Sequence, residues 1–435
     1  MTNTSTSNFS TSSAATPSLQ QDLSQDLQHN PPQDLTLDAA LPRQEALNSL
    51  MEQIMAVYSV SDDEGPLTDI VQRFLEQQPH LTVRRHGDTL VASTNLNKPR
   101  RVIIAGHLDT VPVIDNFPPR WLEPGDELIR ADVAEGHEHE RIMWGRGATD
   151  MKGSDAVFLY MAATLTNPRA DITYVFYDHE EVAAEKNGLR KVVEVHPDWI
   201  QGDFALIGEP TDCGIEGGCN GTMRFDVVTH GIAAHSARAW MGRNAIHDAA
   251  EILNRLNAYD NRAIEVDGLT YQEGLNATLI SGGNGTNIIP DECRVHVNYR
   301  FAPDKTLEQA KAVMFGQETA ELKQTGTYPH LGNGEQTAPG GVFEGFAIEM
   351  KDESPSARPG LEAPISASLV ELVRERTGRE PLPKMGWTDV ARFSQLGIPA
   401  VNLGAGSPLL AHKHDEQLPE TDLLRMADLL IDWLE

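Results

Sequence analysis

The sequence predicts an α/β fold in which a mostly parallel sheet has helices on both faces and is interrupted by a smaller inserted domain. The length of 435 residues exceeds what one hydrophobic core usually holds, so two domains are the natural expectation. Continuous apolar strands alternate with helical segments in the first half and again after about residue 360, a pattern typical of a buried parallel sheet. Between these regions the order of predicted elements changes, which marks the insertion.

The first segment, residues 1–42, is rich in Ser, Thr, Asn and Gln and contains few large apolar residues. Such a composition buries too little apolar surface to fold, so we expect a disordered tail. Helical spacing of Leu47, Leu50 and Ile54 then predicts that ordered structure begins near Arg43.

Three apolar strands of the predicted main domain are each followed by ionisable residues. The first is followed by His107 and Asp109, the second by Glu180 and Glu181, and the third by Glu209. Ligands of such sheets bind outside the carboxyl ends of the strands. Core packing does not readily explain why three separate strands all end in histidine or carboxylate residues at one edge. The pattern therefore predicts a functional site.

The inserted domain is expected to span residues 221–358, leaving 43–220 and 359–435 for the main domain. Its predicted elements follow the order strand, helix, strand, strand, helix, strand, over 223–229, 244–259, 277–281, 294–301, 306–322 and 346–351. This βαββαβ order is the ferredoxin-like arrangement.

Composition narrows the functional classes. The net charge of −29 argues against nucleic acid and anionic membranes as partners. No apolar run approaches the ~20 residues of a membrane span, and no basic region precedes an apolar stretch as in a secretory signal. Three cysteines without a C-x-x-C pair indicate a reducing compartment. We therefore expect a cytoplasmic protein that acts on a small molecule.

Taken singly, the candidate site residues are weak signals. Asp150 could cap the helix that starts near Ser154, and the Glu180–Glu181 pair could be solvated. Together with His107 they supply what hydrolysis by two metal ions requires, namely a bridging carboxylate, terminal ligands for each ion, and a base beside the attacking water. The sequence therefore predicts a metal-dependent hydrolase.

The segments that carry these residues resemble those of the M20 family of metallopeptidases, in the family's order. They are GHLDTVP at 106–112, GRGATDMKG at 145–153, EE at 180–181, GEPT at 208–211, GIAAHSAR at 231–238 and HKHDE at 412–416. Within the family, further segments resemble the actinobacterial enzymes that remove succinate from N-succinyl-LL-2,6-diaminopimelate. These segments are GGCNGTMR at 217–224, NYRFAP at 298–303 and GWTDVARF at 386–393.

The resemblance implies two zinc ions per subunit, for which Co²⁺ could substitute. His107 and Glu209 would bind one ion, Glu181 and His412 would bind the other, and Asp150 would bridge both.

The resemblance also implies roles for three residues around the metals. Glu180 would be the general base, and Asp109 would fix the tautomer of His107 through its other ring nitrogen. His235 would reach the active site of a neighbouring subunit and stabilise the oxyanion, which implies a homodimer formed through the inserted domain.

The sequence differs from the family pattern at one position and is ambiguous at another. Many members have Asp-Glu-Glu-Gly where this chain has His179, the two glutamates and Val182, so the ligand and the base are retained but the turn can differ. His414 lies two residues from His412 and is an alternative ligand, although the register of the HKHDE segment favours His412.

The resemblance implies that Arg300 faces the substrate, since arginine binds carboxylates in bidentate geometry, and that Asn287 and Thr388 line the same cleft. Arg224 is a weaker candidate, because an exposed strand arginine is often only solvated.

Other activities of the family remain alternatives, such as acetylornithine deacetylase, aminoacylase or dipeptidase. A non-catalytic binding protein on the same fold is the alternative from another class, and the intact set of ligands and base argues against it.

Overall fold

An eight-stranded sheet forms the centre of the main domain in the computed structural model, which describes residues 32–38, 40–316 and 340–435. The strands are β1 Leu81–His86, β2 Thr89–Thr94, β3 Arg101–His107, β4 Arg120–Leu122, β5 Ile142–Trp144, β6 Asp171–Tyr177, β7 Phe204–Ile207, β8 Glu216–Gly217, β9 Gly221–His230, β10 Ala234–His235, β11 Ala263–Val266, β12 Leu269–Gln272, β13 Gly274–Gly282, β14 Ile288–Ile289, β15 Glu292–Phe301, β16 Ala347–Ser354, β17 Leu382–Pro383, β18 Ala400–Asn402 and β19 Gln417–Pro419. The helices are α1 Arg43–Met55, α2 Gly65–Glu76, α3 Ala131–Ala134, α4 Gly153–Thr164, α5 Gly188–Val195, α6 Ala245–Ala258, α7 Leu307–Phe315, α8 Pro364–Thr377, α9 Val390–Gln395 and α10 Glu420–Leu434.

The strands of the large sheet follow the order β1-β2-β6-β3-β7-β18-β8-β17, and the central four are parallel. Every residue of β6 and β7 is buried, as expected for strands that are covered on both faces. Val102 and Ile104 of β3 pack in one core with α1, α2, α4, α8 and α10, whereas Ile103 and Ala105 pack in the other core with α5 and α9. The predicted mostly parallel sheet with helices on both faces is thus confirmed.

The inserted domain contains a four-stranded antiparallel sheet in the order β13-β15-β9-β16. Helices α6 and α7 supply Ala249 and Met314 to the core on one face, and burial alternates along β15 accordingly. The chain order β9, α6, β13, β15, α7, β16 is the predicted βαββαβ arrangement. Helix α7 is described as far as Phe315, and the predicted continuation to residue 322 lies outside the described residues.

The segment before α1 is ordered earlier than the sequence predicts. Leu35 is 2% exposed and belongs to the core of the main domain, and the backbone N–H of Thr36 donates to Oε1 of Gln53 at 2.8 Å. The predicted start of order near Arg43 is therefore too late, because one leucine in a polar segment carries no periodic signal. Residues 1–31 of the predicted tail lie outside the described residues.

Within the described ranges, no helix combines the length and the apolar character needed to cross a lipid bilayer.

Candidate metal centre

The carboxyl-terminal edge of the parallel strands collects the histidine and carboxylate side chains that the sequence singled out. Strand β3 ends in His107, the turn after β6 carries Glu180 and Glu181, and Glu209 follows β7. His412 reaches the same edge from the loop that precedes β19. The parallel centre of the sheet is what brings residues so distant in sequence together.

Asp150 lies at the middle of this cluster and faces a histidine on each side. Its Oδ1 atom is 3.1 Å from Nε2 of His107, and its Oδ2 atom is 3.3 Å from Nε2 of His412. The same nitrogen of His412 is 3.0 Å from Oε1 of Glu181. A carboxylate that presents one oxygen to each of two neighbouring ligand groups has the arrangement required of a bridging ligand.

The ligand atoms form two overlapping groups that could each hold a cation. Potential ligand atoms of His107, Glu180 and Glu181 lie within 4.8 Å of one another, as do those of Asp150, Glu181 and His412. Imidazole nitrogens and carboxylate oxygens at such spacing suit zinc and related divalent ions. The residues present therefore fit a divalent metal centre, although neither group includes Glu209, which the sequence predicts as a ligand.

The electrostatics of the cluster also indicate that cations belong there. Burial, followed by the negative charges of Glu209 and then Glu181, raises the pKa of Glu180 well above its usual range. Burial and the charge of Asp150 raise the pKa of Glu209 to about 7, against an opposing contribution from Lys384. Carboxylates that repel one another in a buried setting are stabilised by protonation or by a nearby positive charge, and divalent cations would supply such a charge.

Asp109 orients the cluster, but not in the way the sequence predicts. Nδ1 of His107 is 2.9 Å from the main-chain carbonyl oxygen of Asp109, and the Asp109 carboxylate is farther away, at 3.6 Å. That carboxylate instead accepts the backbone N–H groups of Glu180 and Glu181, at 2.9 and 3.1 Å. The carbonyl therefore holds His107 with Nε2 facing Asp150, while the side chain fixes the turn that carries the two glutamates.

A cavity of about 600 Å³ between the two domains opens onto the cluster. Glu180, Glu181 and His412 line it from the main domain, and Arg224 and Arg300 line it from the inserted domain. Arg300 is half-buried, and its guanidinium makes no ion pair with any residue that the structure describes. The cavity thus joins a candidate metal centre to an arginine that is available for a ligand.

Three predicted residues lie elsewhere. Thr388 is buried, and its hydroxyl donates to Oδ1 of Asn402 at 2.9 Å, so it does not line the cleft as expected. His235 and Asn287 are exposed neighbours in the inserted domain, where Asn287 O accepts the backbone N–H of Ser236. Neither lines the cavity of its own chain.

The structure also separates the two candidate histidines of the HKHDE segment. His412 meets Asp150 and Glu181, whereas His414 is exposed and has no contact of this kind.

Several residues of the site carry no individual signal in the sequence. Lys384 is buried beside Glu209, with its Nζ atom 2.8 Å from Oε2 of Glu216. Trp387 and Arg392 line the cavity, and the guanidinium of Arg392 stacks on the indole of Trp387 at 5.3 Å. All three lie near Thr388. The segment at 386–393 therefore does contribute to the cavity, but through Trp387 and Arg392 and not through the predicted Thr388.

Comparison with known proteins agrees with this geometry. Residues 103–435 match the sequence profile described as peptidase family M20/M25/M40. A putative succinyl-diaminopimelate desuccinylase from Mycobacterium tuberculosis is 40% identical over 388 residues, which cover 88% of this chain and 97% of that protein. The succinyl-diaminopimelate desuccinylase of Corynebacterium glutamicum is 38% identical over 391 residues, covering 88% and 95% of the two chains.

Solved structures share the fold. A tripeptidase from Staphylococcus aureus superimposes with a TM-score of 0.66 at 18% identity, covering 90% of this chain and 98% of that one. An M20 family metallo-carboxypeptidase from Sulfolobus solfataricus gives a TM-score of 0.63 at 18% identity, with the same coverage. At this identity the likeness shows the architecture alone.

The geometry at His412 predicts how metal binding depends on pH. Hydrogen bonds that the His412 ring donates to Asp150 and Glu181 raise the pKa of His412 to about 10 in the metal-free protein, so its ring is protonated at neutral pH. Metal must displace that proton, and the apparent affinity should therefore rise as pH increases from 6.5 to 8.5, with proton release on binding. Calorimetric zinc titration in buffers of different ionisation enthalpy measures both effects.

Two variants test, in the same titration, which of the neighbouring histidines binds metal. His412→Ala should lose one of two metal sites and release fewer protons, whereas His414→Ala should titrate like the wild type. Equal metal loss from the two variants would contradict the assignment of His412.

Proposed function

The chain belongs to peptidase family M20/M25/M40, and on that premise we propose that it hydrolyses N-succinyl-LL-2,6-diaminopimelate to succinate and LL-2,6-diaminopimelate with a pair of metal ions. The observation that carries the chemistry is Asp150, which faces a histidine with each of its two oxygens. The identity of about 40% to desuccinylases over nearly their whole length favours this substrate.

In this proposal, His107 and Glu209 would hold one zinc, Glu181 and His412 would hold the other, and Asp150 would contribute to both sites. Cobalt could replace zinc at these nitrogen and oxygen ligands. When bound, the ions supply the Lewis acidity that makes a water molecule nucleophilic near neutral pH and polarises the amide carbonyl.

Glu180 accepts the proton of the attacking water and passes it to the leaving amine. Its position supports that role, because its backbone N–H is held by Asp109 while its side chain lines the cavity. The raised pKa also supports it, because a carboxyl group that burial and like charges make more basic can hold a transferred proton.

Basic side chains in the cavity suit a substrate that carries carboxylates. Arg224, Arg300, Lys351 and Arg392 line it together with four carboxylates, those of Glu180, Glu181, Glu185 and Asp352. Of the four cations, all but Arg300 have an ion-pair partner among the described residues. Succinylated diaminopimelate carries three carboxylates, one of which could pair with the remaining arginine. Arg300, which lacks an ion-pair partner among the described residues, is the best placed to bind one carboxylate through both nitrogens of its fork.

A homodimer formed through the inserted domain is part of the proposal. Trp240 and Met241, close to His235 in the chain, are 81% and 61% exposed, and Leu279 and Ile280 on the edge strand β13 are 71% and 55% exposed. Large apolar side chains on an exposed edge strand favour association with another chain. Because His235 lies outside the cavity of its own chain, we propose that it enters the partner's cavity and donates a hydrogen bond to the oxyanion.

We also place the enzyme in the cytoplasm. The three cysteines, Cys213, Cys219 and Cys293, are all free and buried, which suits a compartment that keeps thiols reduced.

The substrate assignment is tested by incubating the zinc-loaded protein with succinylated and acetylated diamino acids and with dipeptides. Succinate should be released from N-succinyl-LL-2,6-diaminopimelate faster than any other product. Glu180→Gln should keep its metal content and lose roughly 10²–10⁴-fold in turnover, because the amide cannot accept the proton. Faster cleavage of acetylated substrates or dipeptides would show that the proposed substrate is wrong. Near-normal turnover in Glu180→Gln would show that Glu180 is not the general base.

Delivery of His235 from the partner is tested by subunit exchange. His235→Ala should retain metal but lose about 10²–10³-fold in turnover, since the oxyanion loses a donor. When this variant exchanges subunits with Glu180→Gln, each heterodimer contains one site with both residues intact, which is about a quarter of all sites after random exchange. Activity should return in that proportion. Confirmed exchange without recovery would mean that His235 does not act across the dimer.

A further inference from the structure

Arg146 and Glu416 form an ion pair that is almost entirely buried behind the metal centre. Nη1 of Arg146 donates to Oε2 of Glu416 at 2.8 Å, and the two side chains are 2% and 1% exposed. Removing two opposite charges from water is costly, and their attraction offsets the cost only when further hydrogen bonds satisfy both groups. The remaining bonds of this pair lead to the chain segments that carry metal ligands.

The Glu416 carboxylate is enclosed by the turn that ends in Asp150. Its Oε1 atom accepts the backbone N–H groups of Thr149 and Asp150, at 2.8 and 3.0 Å, and its Oε2 atom accepts that of Gly147 at 3.1 Å. Gly147 has a φ of 86°, in the left-handed region, and a Cβ atom there would come within 2.9 Å of Thr110. The turn thus converges its N–H groups on one anion, as in an anion-binding nest.

Arg146 extends the contact to two further segments. Its Nε atom donates to the carbonyl oxygen of Pro112 at 3.2 Å, in the segment that follows His107. Its Nη2 atom donates to the carbonyl oxygen of His412 at 3.4 Å. One guanidinium therefore contacts the loop after β3, the Glu416 side chain and the backbone of a predicted metal ligand.

We propose that the Arg146–Glu416 pair is a positioning element that sets the Asp150 carboxylate and the His412 loop in the relative geometry that two cations require. The inference rests on the proposed metal-dependent function and adds two residues to it. Neither side chain lines the cavity or belongs to either group of candidate ligand atoms, and both act through the main chain of the segments they hold.

A side chain whose two oxygens both accept hydrogen bonds is the group that fits this position. Glu416 meets four N–H donors and no acceptor, so both of its oxygens must accept. In Glu416→Gln the amide oxygen can still accept from Thr149 and Asp150, but the amide N–H₂ then faces the donors of Gly147 and Arg146. The variant keeps the shape of the side chain and replaces two attractive contacts with two repulsive ones.

Glu273 provides a matched control in the inserted domain. Its side chain is also fully buried and ion-paired, with Oε2 2.8 Å from Nη2 of Arg262 and Oε1 bound to Lys305 and to the backbone N–H of Ala302. Glu273→Gln imposes a similar loss of buried charge without any bond to the segments that carry the metal ligands.

The experiment measures metal affinity, the visible absorption spectrum of the Co²⁺-loaded protein and the thermal unfolding midpoint of the metal-free protein, each for the wild type and the two variants. Glu416→Gln should bind metal about 10–100-fold more weakly and shift the cobalt spectrum, as expected when a residue that orients ligands is changed. Glu273→Gln should lower the unfolding midpoint and leave both metal readouts unchanged.

A wild-type metal affinity and cobalt spectrum in Glu416→Gln, whatever its unfolding midpoint, would overturn the positioning role and leave a purely structural ion pair. If Glu416→Gln does not fold, Arg146→Lys decides, because it keeps the charge but loses the fork that reaches Pro112 and His412. Weaker metal binding and a shifted cobalt spectrum in Arg146→Lys support the proposal, and wild-type values overturn it. Failure of the wild type itself to bind metal would instead contradict the proposed function.

Discussion

The constraint on which this structure depends is the repulsion among carboxylates gathered at one partly buried edge of the sheet. Asp150, Glu181 and Glu209 lie close enough that burial and the neighbouring charges raise the pKa of both glutamates. His107 and Lys384 oppose this charge only in part. Protonation or a nearby cation relieves repulsion of this kind, so the same residues that repel one another in the empty protein form a candidate centre for divalent metal.

Two further carboxylates hold the cluster in place by a common device. Asp109 accepts the N–H groups of the turn that carries Glu180 and Glu181, and Glu416 accepts those of the turn that ends in Asp150. Turns beyond the ends of strands leave backbone donors without partners in the sheet, and buried donors must be satisfied. The site therefore contains acidic residues of two kinds, those that form the candidate metal centre and those that order the backbone behind it.

The sequence predicted the fold and the gathering of the ligands because both follow from strong local patterns. The apolar runs of β3, β6 and β7 are buried on both faces, and parallel strands necessarily end at one edge. Features that depend on side-chain direction or on single residues were not predictable in this way. Leu35 is one apolar residue in a polar segment, and Thr388 differs from the cavity-lining Trp387 by one position.

The burial of individual charged residues could not be predicted from the sequence either. A charged residue is normally exposed, so nothing in the sequence reveals that Lys384 and Glu416 are buried. His235 could not be assessed in this way either, since the role proposed for it depends on the surface of a second subunit.

The most direct measurement is anomalous X-ray scattering from crystals of the zinc-loaded protein at the zinc edge. Two zinc peaks per chain are expected, with one oxygen of Asp150 bound to each ion. His107 should bind one of these ions and His412 the other. A single zinc site, or a pair of ions that Asp150 does not bridge, would contradict the proposed metal centre.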